Sequence, residues 1–195
     1  MTFISKALLV SFCSLALVAC SNSPMPMYHY QLDEASDSKI KHINFAERNI
    51  VTLSRLEVPG YLKQSSLVLK QADQQLHFST SHLWAEVPQL AIYNALLEDL
   101  NNQSDTLHFI SWHNKHKVNQ QMSVKVVIRH FYPTEGGDVV LSGYAELTNS
   151  EKNSVAMKEF YIQSDLKSDG FAHAVAVMRQ QLTQMADEIL QLTIQ

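Results

Sequence analysis

Nine histidines and two cysteines are the residues most able to do chemistry in this chain of 195. The densest group is His113-Asn114-Lys115-His116-Lys117. A histidine pair spaced this way could supply two zinc ligands, but two more would have to come from elsewhere, and Lys115 and Lys117 would repel the ion. The segment links two expected strands, so it reads as a solvated loop; the other histidines are scattered singly. Two acidic pairs, Glu98-Asp99 and Asp187-Glu188, sit in expected helices. Helical neighbours diverge by about 100°, so neither pair converges on a substrate, and both read as solvated faces. There is no glycine-rich phosphate loop, no G-x-S-x-G elbow and no H-E-x-x-H. Nothing in this set supports an enzyme, a metal or a cofactor. A formal net charge of −4 argues against nucleic acid held by a basic surface.

The two cysteines lie at the start, in MTFISKALLVSFCSLALVAC. Lys6 supplies a positive charge ahead of Ala7–Leu17, an uncharged run. Eleven helical residues span about 16 Å, short of a bilayer core of about 30 Å, so the run reads as a secretory signal rather than a membrane span. It ends in Leu17-Val18-Ala19-Cys20, which is similar to a bacterial lipobox. That similarity implies cleavage after Ala19 and lipid on Cys20, the one covalent group expected. Three acyl chains hold a domain far more firmly than one. Ser21, by similarity to enterobacterial sorting signals, points to the periplasmic face of the outer membrane. With Cys13 lost and Cys20 acylated, no disulfide remains, and an ordinary core must supply the stability. The expected organisation is a signal peptide over 1–19, a lipidated tether over 20–27 and a single periplasmic domain over 28–195. The short Ser21–Met27 stretch (SNSPMPM) reaches at most about 25 Å, which keeps that domain close to its membrane.

The elements that must position any site follow from periodicity. Short strands are expected at Tyr28–Leu32 and Thr106–Trp112, and a doubly covered central strand at Asn49–Val58, ended by Pro59-Gly60. Leu67–Lys70 and Gln75–Thr80 flank Ala72-Asp73 as a hairpin. Val87, Leu90, Leu97 and Leu100 recur at helical spacing to about Asn101, with Ala91 and Tyr93 widening the stripe and Pro88 in the first turn. Met122, Val124, Val126, Ile128 and Tyr132 mark one face of a long strand. The turn Glu135-Gly136-Gly137-Asp138 leads to a return strand over Val139–Leu147, and Val155–Ile162 adds a third neighbour. Gly143, inside that return strand, should admit a close backbone or helix. A last helix, capped near Ser168-Asp169, carries Phe171, Val175, Met178, Leu182, Met185, Ile189 and Leu192 on one stripe. The stripe suits a helix lying on a sheet better than a coiled-coil seam. Arg179, Gln180, Gln184, Asp187, Glu188 and Gln191 fall opposite it. The fold class is α/β, a single domain whose mixed, largely antiparallel sheet is packed by two main helices.

Val58-Pro59-Gly60-Tyr61-Leu62 and Leu83-Trp84-Ala85-Glu86 place large apolar groups at element ends. Pro59, Tyr61, Leu62 and Trp84 are therefore candidates for a partner surface, or else caps of the core. Tyr61→Ala is expected to act mainly on association and Trp84→Ala mainly on folding.

In the order of these segments the chain resembles the PqiC (YmbA) family of ABC-type transport auxiliary lipoproteins. The resemblance rests on the lipobox, Tyr28-His29-Tyr30-Gln31-Leu32, Val58–Leu62, Leu83–Glu86, Phe131 before a glycine turn, Val139-Val140-Leu141-Ser142-Gly143, and Asp169-Gly170-Phe171 opening a final helix that ends in Asp187-Glu188-Ile189. The chain departs from many relatives at Lys63-Gln64-Ser65-Ser66-Leu67 and at Val87-Pro88. The resemblance implies a non-catalytic outer-membrane subunit of lipid transport between the membranes. Its partner would be an inner-membrane-anchored MCE-domain protein of the PqiB type, and its copies would assemble as a ring. An alternative is a lipoprotein scaffold or activator of another periplasmic machine, such as a cell-wall synthase.

Overall fold

The computed structural model describes residues 25–32, 49–117 and 122–193; Cys20 and its lipobox lie outside them. The described residues form two sheets and two long helices. The larger sheet contains β2 (Asn49–Leu53), β5 (Leu107–Ser111), β6 (Met122–Pro133), β7 (Asp138–Asn149) and β8 (Ser154–Asp165), in the order β5-β2-β6-β7-β8. Strand β2 pairs in parallel with both β5 and β6, whereas β6, β7 and β8 run antiparallel. The smaller sheet orders β1 (Tyr28–Tyr30), β4 (Leu76–Trp84) and β3 (Ser66–Lys70) as β1-β4-β3. Asp73 and Gln74, with φ of 57° and 64°, make the left-handed turn that closes the β3–β4 hairpin. The two sheets meet at the end of β6, where Glu135 N–H donates to the Lys70 carbonyl at 2.8 Å.

Helices α1 (Pro88–Gln103) and α2 (Phe171–Thr193) share one core with the larger sheet. The α2 stripe from Val175 through Met178, Leu182, Met185 and Ile189 to Leu192 is buried against β7 and β8, as the spacing predicts. Its start differs from expectation. Gly170, at φ +105°, occupies the capping position, and its carbonyl accepts the Ala174 N–H. A glycine there turns the chain into the helix without a side-chain cap from Ser168 or Asp169.

Three other expectations are corrected. Val87 and Leu90 are 54% and 50% exposed; α1 buries Ala91, Tyr93 and Leu100, as the spacing predicts, and buries Ile92, Ala95 and Leu96 beside them. The buried stripe is therefore rotated from the one that Val87 and Leu90 suggest. In β6 the register slips between Ile128 and His130, so Arg129 is an extra residue and the phase inverts. Phe131 is then buried, and Tyr132 turns to the helix-free face. Gly143 permits this bulge, because a Cβ there would stand 2.0 Å from the Val127 carbonyl oxygen.

The third correction concerns Asp99 and Arg179, read from sequence as solvated. Both are largely buried and form a bidentate ion pair between the helices, with Nη1–Oδ2 at 2.6 Å and Nη2–Oδ1 at 2.8 Å. Thr183 donates a further hydrogen bond to Asp99. Gln181, fully buried within the apolar face of α2, donates to the Val139 carbonyl at 2.8 Å and to Ser164 Oγ at 3.0 Å. These bonds fix α2 against β7 and β8.

Candidate functional site

Pro59, with φ −64°, ends the extended run after β2 and begins a 3-10 turn over Gly60–Lys63. The turn sends consecutive side chains opposite ways. Leu62 enters the core, whereas Tyr61 lies half-buried along β6, where its hydroxyl oxygen accepts the Phe131 N–H at 3.0 Å. Its ring centre is 5.9 Å from that of Tyr132. Burial pushes the Tyr61 hydroxyl up to about 12; the Phe131 N–H opposes this, and Tyr132 adds a smaller upward push. Trp84 is buried at the end of β4, with its N–H donating to the Ser65 carbonyl at 2.6 Å. Leu62 and Trp84 thus pack the core, while Pro59 and Tyr61 retain surface.

Around Tyr61 the helix-free face of the sheet carries an aromatic row. His130 meets Tyr132 edge-on at 5.7 Å, and Arg129 stands 5.3 Å above Tyr144. Arg129 also pairs with Glu159 at 3.0 Å. The Arg129 bulge places these groups, and sequence alternation alone assigns Tyr132 to the wrong face.

A groove of about 340 Å³ lies between α1 and the chain after β5, with Leu56, Val87, Leu90, Leu97 and Trp112 among its walls. The Arg55 guanidinium lies 5.6 Å above the Trp112 ring. The Tyr93 hydroxyl braces the floor by donating to the Leu53 carbonyl at 2.9 Å and accepting the Trp112 N–H at 3.2 Å. Val87 and Leu90, expected in the core, serve here as walls. The His113 ring lies 3.7 Å from Trp112, with Nδ1 3.2 Å from Ser111 Oγ. Among the described residues no three His, Cys, Asp or Glu side chains converge as metal ligands. The groups these surfaces offer are rings, aliphatic walls and a guanidinium, suited to holding a partner. No helix among the described residues is long and apolar enough to cross a membrane.

Residues 30–190 match the sequence profile of the ABC-type transport auxiliary lipoprotein component family. The chain belongs to this family. The auxiliary lipoprotein family thereby accounts for nearly all of the described fold. Two crystal structures share that fold. One, of an uncharacterized protein, aligns over 86% of this chain and 98% of its own at 20% identity, with a TM-score of 0.72. The other, protein XCC0632 from Xanthomonas campestris, of family DUF330, aligns over 87% of this chain and 86% of its own at 14% identity, with a TM-score of 0.61. No curated protein matches the chain.

Proposed function

We propose that this auxiliary lipoprotein is a non-catalytic subunit of an MCE-type, Pqi-like system moving lipid between the bacterial membranes. It is anchored by Cys20 to the periplasmic face of the outer membrane and partners an MCE-domain protein of the PqiB type as a homo-oligomeric ring. The observation that carries this reading is the family match over residues 30–190, preceded by Leu17-Val18-Ala19-Cys20. The surfaces support it as well: aromatic rings around Tyr61 and an apolar groove beside Arg55 are groups that anchor partners. In this reading Pro59 and Tyr61 touch the partner, and Leu62 and Trp84 hold that surface from beneath.

The deciding experiment is purification of the full-length protein from bacterial envelopes, with identification of what accompanies it. An MCE-domain membrane protein is expected; consistent recovery of a cell-wall synthase without it would overturn the reading. Palmitate labelling tests the anchor. Cys20→Ala should abolish labelling and release the protein from the outer-membrane fraction, and retained label would refute lipidation at Cys20.

A further inference from the structure

The groove between α1 and the chain after β5 is long, apolar and charged at one place. Its α1 wall runs from Val87 through Leu90 to Leu97, a stretch that rises about 15 Å along the helix axis. The polar groups on its floor are spent within the chain. Gln89 Nε2 donates to the Leu56 carbonyl at 2.6 Å, and the Tyr93 hydroxyl is held by Leu53 and Trp112. No carboxylate lines the groove, and its one permanent charge is the exposed Arg55. Among the described residues no carboxylate pairs with that guanidinium, which lies over the Trp112 ring.

We infer that this groove binds a single-chain anionic lipid, with the chain laid along α1 and the carboxylate or phosphate head held by Arg55. Shape, size and charge select the occupant. An elongated apolar trough takes an extended chain in preference to a compact ring. A cavity of about 340 Å³ lies at the small end of ligand sites, which run from about 300 to about 1,000 Å³. It therefore admits one chain, and a two-chain lipid would leave its second chain in water. A guanidinium stacked on an indole, with no carboxylate to neutralise it, offers an anion two donors in a fixed orientation. The inference deepens the lipid-transport reading and rests on it for the choice of a lipid. The two fail separately: an MCE-domain protein can accompany a chain whose groove stays empty, and the purified chain can bind lipid without that partner.

The test uses the full-length protein held in amphipol, free of detergent. The probe is ω-bromoundecanoate, whose bromine quenches tryptophan only at short range. Of the two tryptophans, Trp112 lines the groove and Trp84 does not. The probe should quench saturably, and Trp112→Phe should remove the quenching while Trp84 still emits. Arg55→Gln should weaken binding about tenfold, and the corresponding alcohol should bind the parent as weakly as the acid binds that variant. Among unbrominated fatty acids used as competitors, affinity should rise about fourfold per methylene until the groove is full. Leu90→Glu should abolish binding without moving the thermal melt, since that side chain is half-exposed. Absence of saturable quenching, equal affinity for acid and alcohol, or binding unchanged by both Arg55→Gln and Leu90→Glu would each overturn the proposal. So would association between copies that Leu90→Glu abolishes in a protein that takes no probe, which would assign the groove to a neighbouring copy.

Discussion

Strands β5 and β8 are the two edges of one sheet, and they meet their surroundings differently. At β5, helix α1 supplies side chains where a neighbouring strand would be. Asn101 Nδ2 donates to the Phe109 carbonyl at 2.9 Å, and Asn101 Oδ1 accepts the Phe109 N–H at 3.0 Å. Ser104 Oγ accepts the Leu107 N–H at 3.0 Å. One carboxamide thus reproduces the donor and acceptor of a paired strand and blocks further pairing. At β8, helix α2 covers the inner face and leaves the backbone edge open. The contrast shows that a helix protects a sheet edge only when its polar side chains reach the edge's own backbone groups. Covering the face is a separate matter.

The largest way to break this contrast is through the Asp99–Arg179 pair, which ties the helix guarding β5 to the helix lying on β8. Arg179→Ala leaves a buried carboxylate without its bidentate partner and should cost about 3–5 kcal/mol in chemical denaturation. Exchange of the β5 amides should accelerate as α1 loosens. A stability loss below about 1 kcal/mol would show that the helices hold together without the pair.

Asn101→Ala tests the guard itself. It removes both bonds to Phe109 and one to the Leu97 carbonyl, and should cost about 1–3 kcal/mol. It should also open the β5 edge to self-association, read by sedimentation. If Asn101→Ala associates only as the parent does, the carboxamide is not what keeps β5 closed.

Tyr61→Phe removes an acceptor beside β6, between the two edges, and should cost about 1 kcal/mol. The hydroxyl's folded value, about 12, lies above the ordinary 10.0. Its contribution is therefore complete below pH 10 and lost as pH rises toward 12. The parent's denaturation midpoint should fall across that window more steeply than that of Tyr61→Phe. Parallel midpoints would show that Tyr61 is not the group responsible.

The smallest effect is expected on β8. Met157→Thr should change stability in chemical denaturation by less than about 0.5 kcal/mol, because the side chain is exposed. A larger destabilisation would mean that Met157 is packed within its own chain.

Much of this architecture is legible in the residues. Alternation marks β6, β7 and β8; the α2 stripe predicts a helix on a sheet; and Pro59-Gly60 marks where the chain after β2 turns. What escapes is set by contacts distant in sequence. Asp99 beside Glu98 looks solvated because its partner, Arg179, lies 80 residues away. Tyr132 is misplaced because one extra residue at Arg129, allowed by Gly143 on the facing strand, inverts the phase. Val87 and Leu90 mimic a core stripe because groove walls and core share the same apolar chemistry. At the candidate site, the sequence identifies the break at Pro59 but not that Tyr61 and Leu62 diverge, since that depends on β6 running alongside. The exposed row of Val155, Met157 and Tyr161 on β8 leaves a trace, because apolar residues on both faces of a terminal strand exceed what one helix can cover.

Strand β1 is short, yet it follows directly on Ser21–Met27. It runs parallel to β4, with Tyr28 opposite His82 and Tyr30 opposite Trp84, and the rings of both tyrosines stack on His82. A pull arriving from the N-terminal side acts along the strand axis, at right angles to its interstrand hydrogen bonds. All of those bonds are then loaded together in shear instead of being peeled one at a time, and the stacked rings resist the same sliding. For a domain tugged by fluctuations of a surface it is tied to, three residues in this orientation make a stronger mooring than their number suggests.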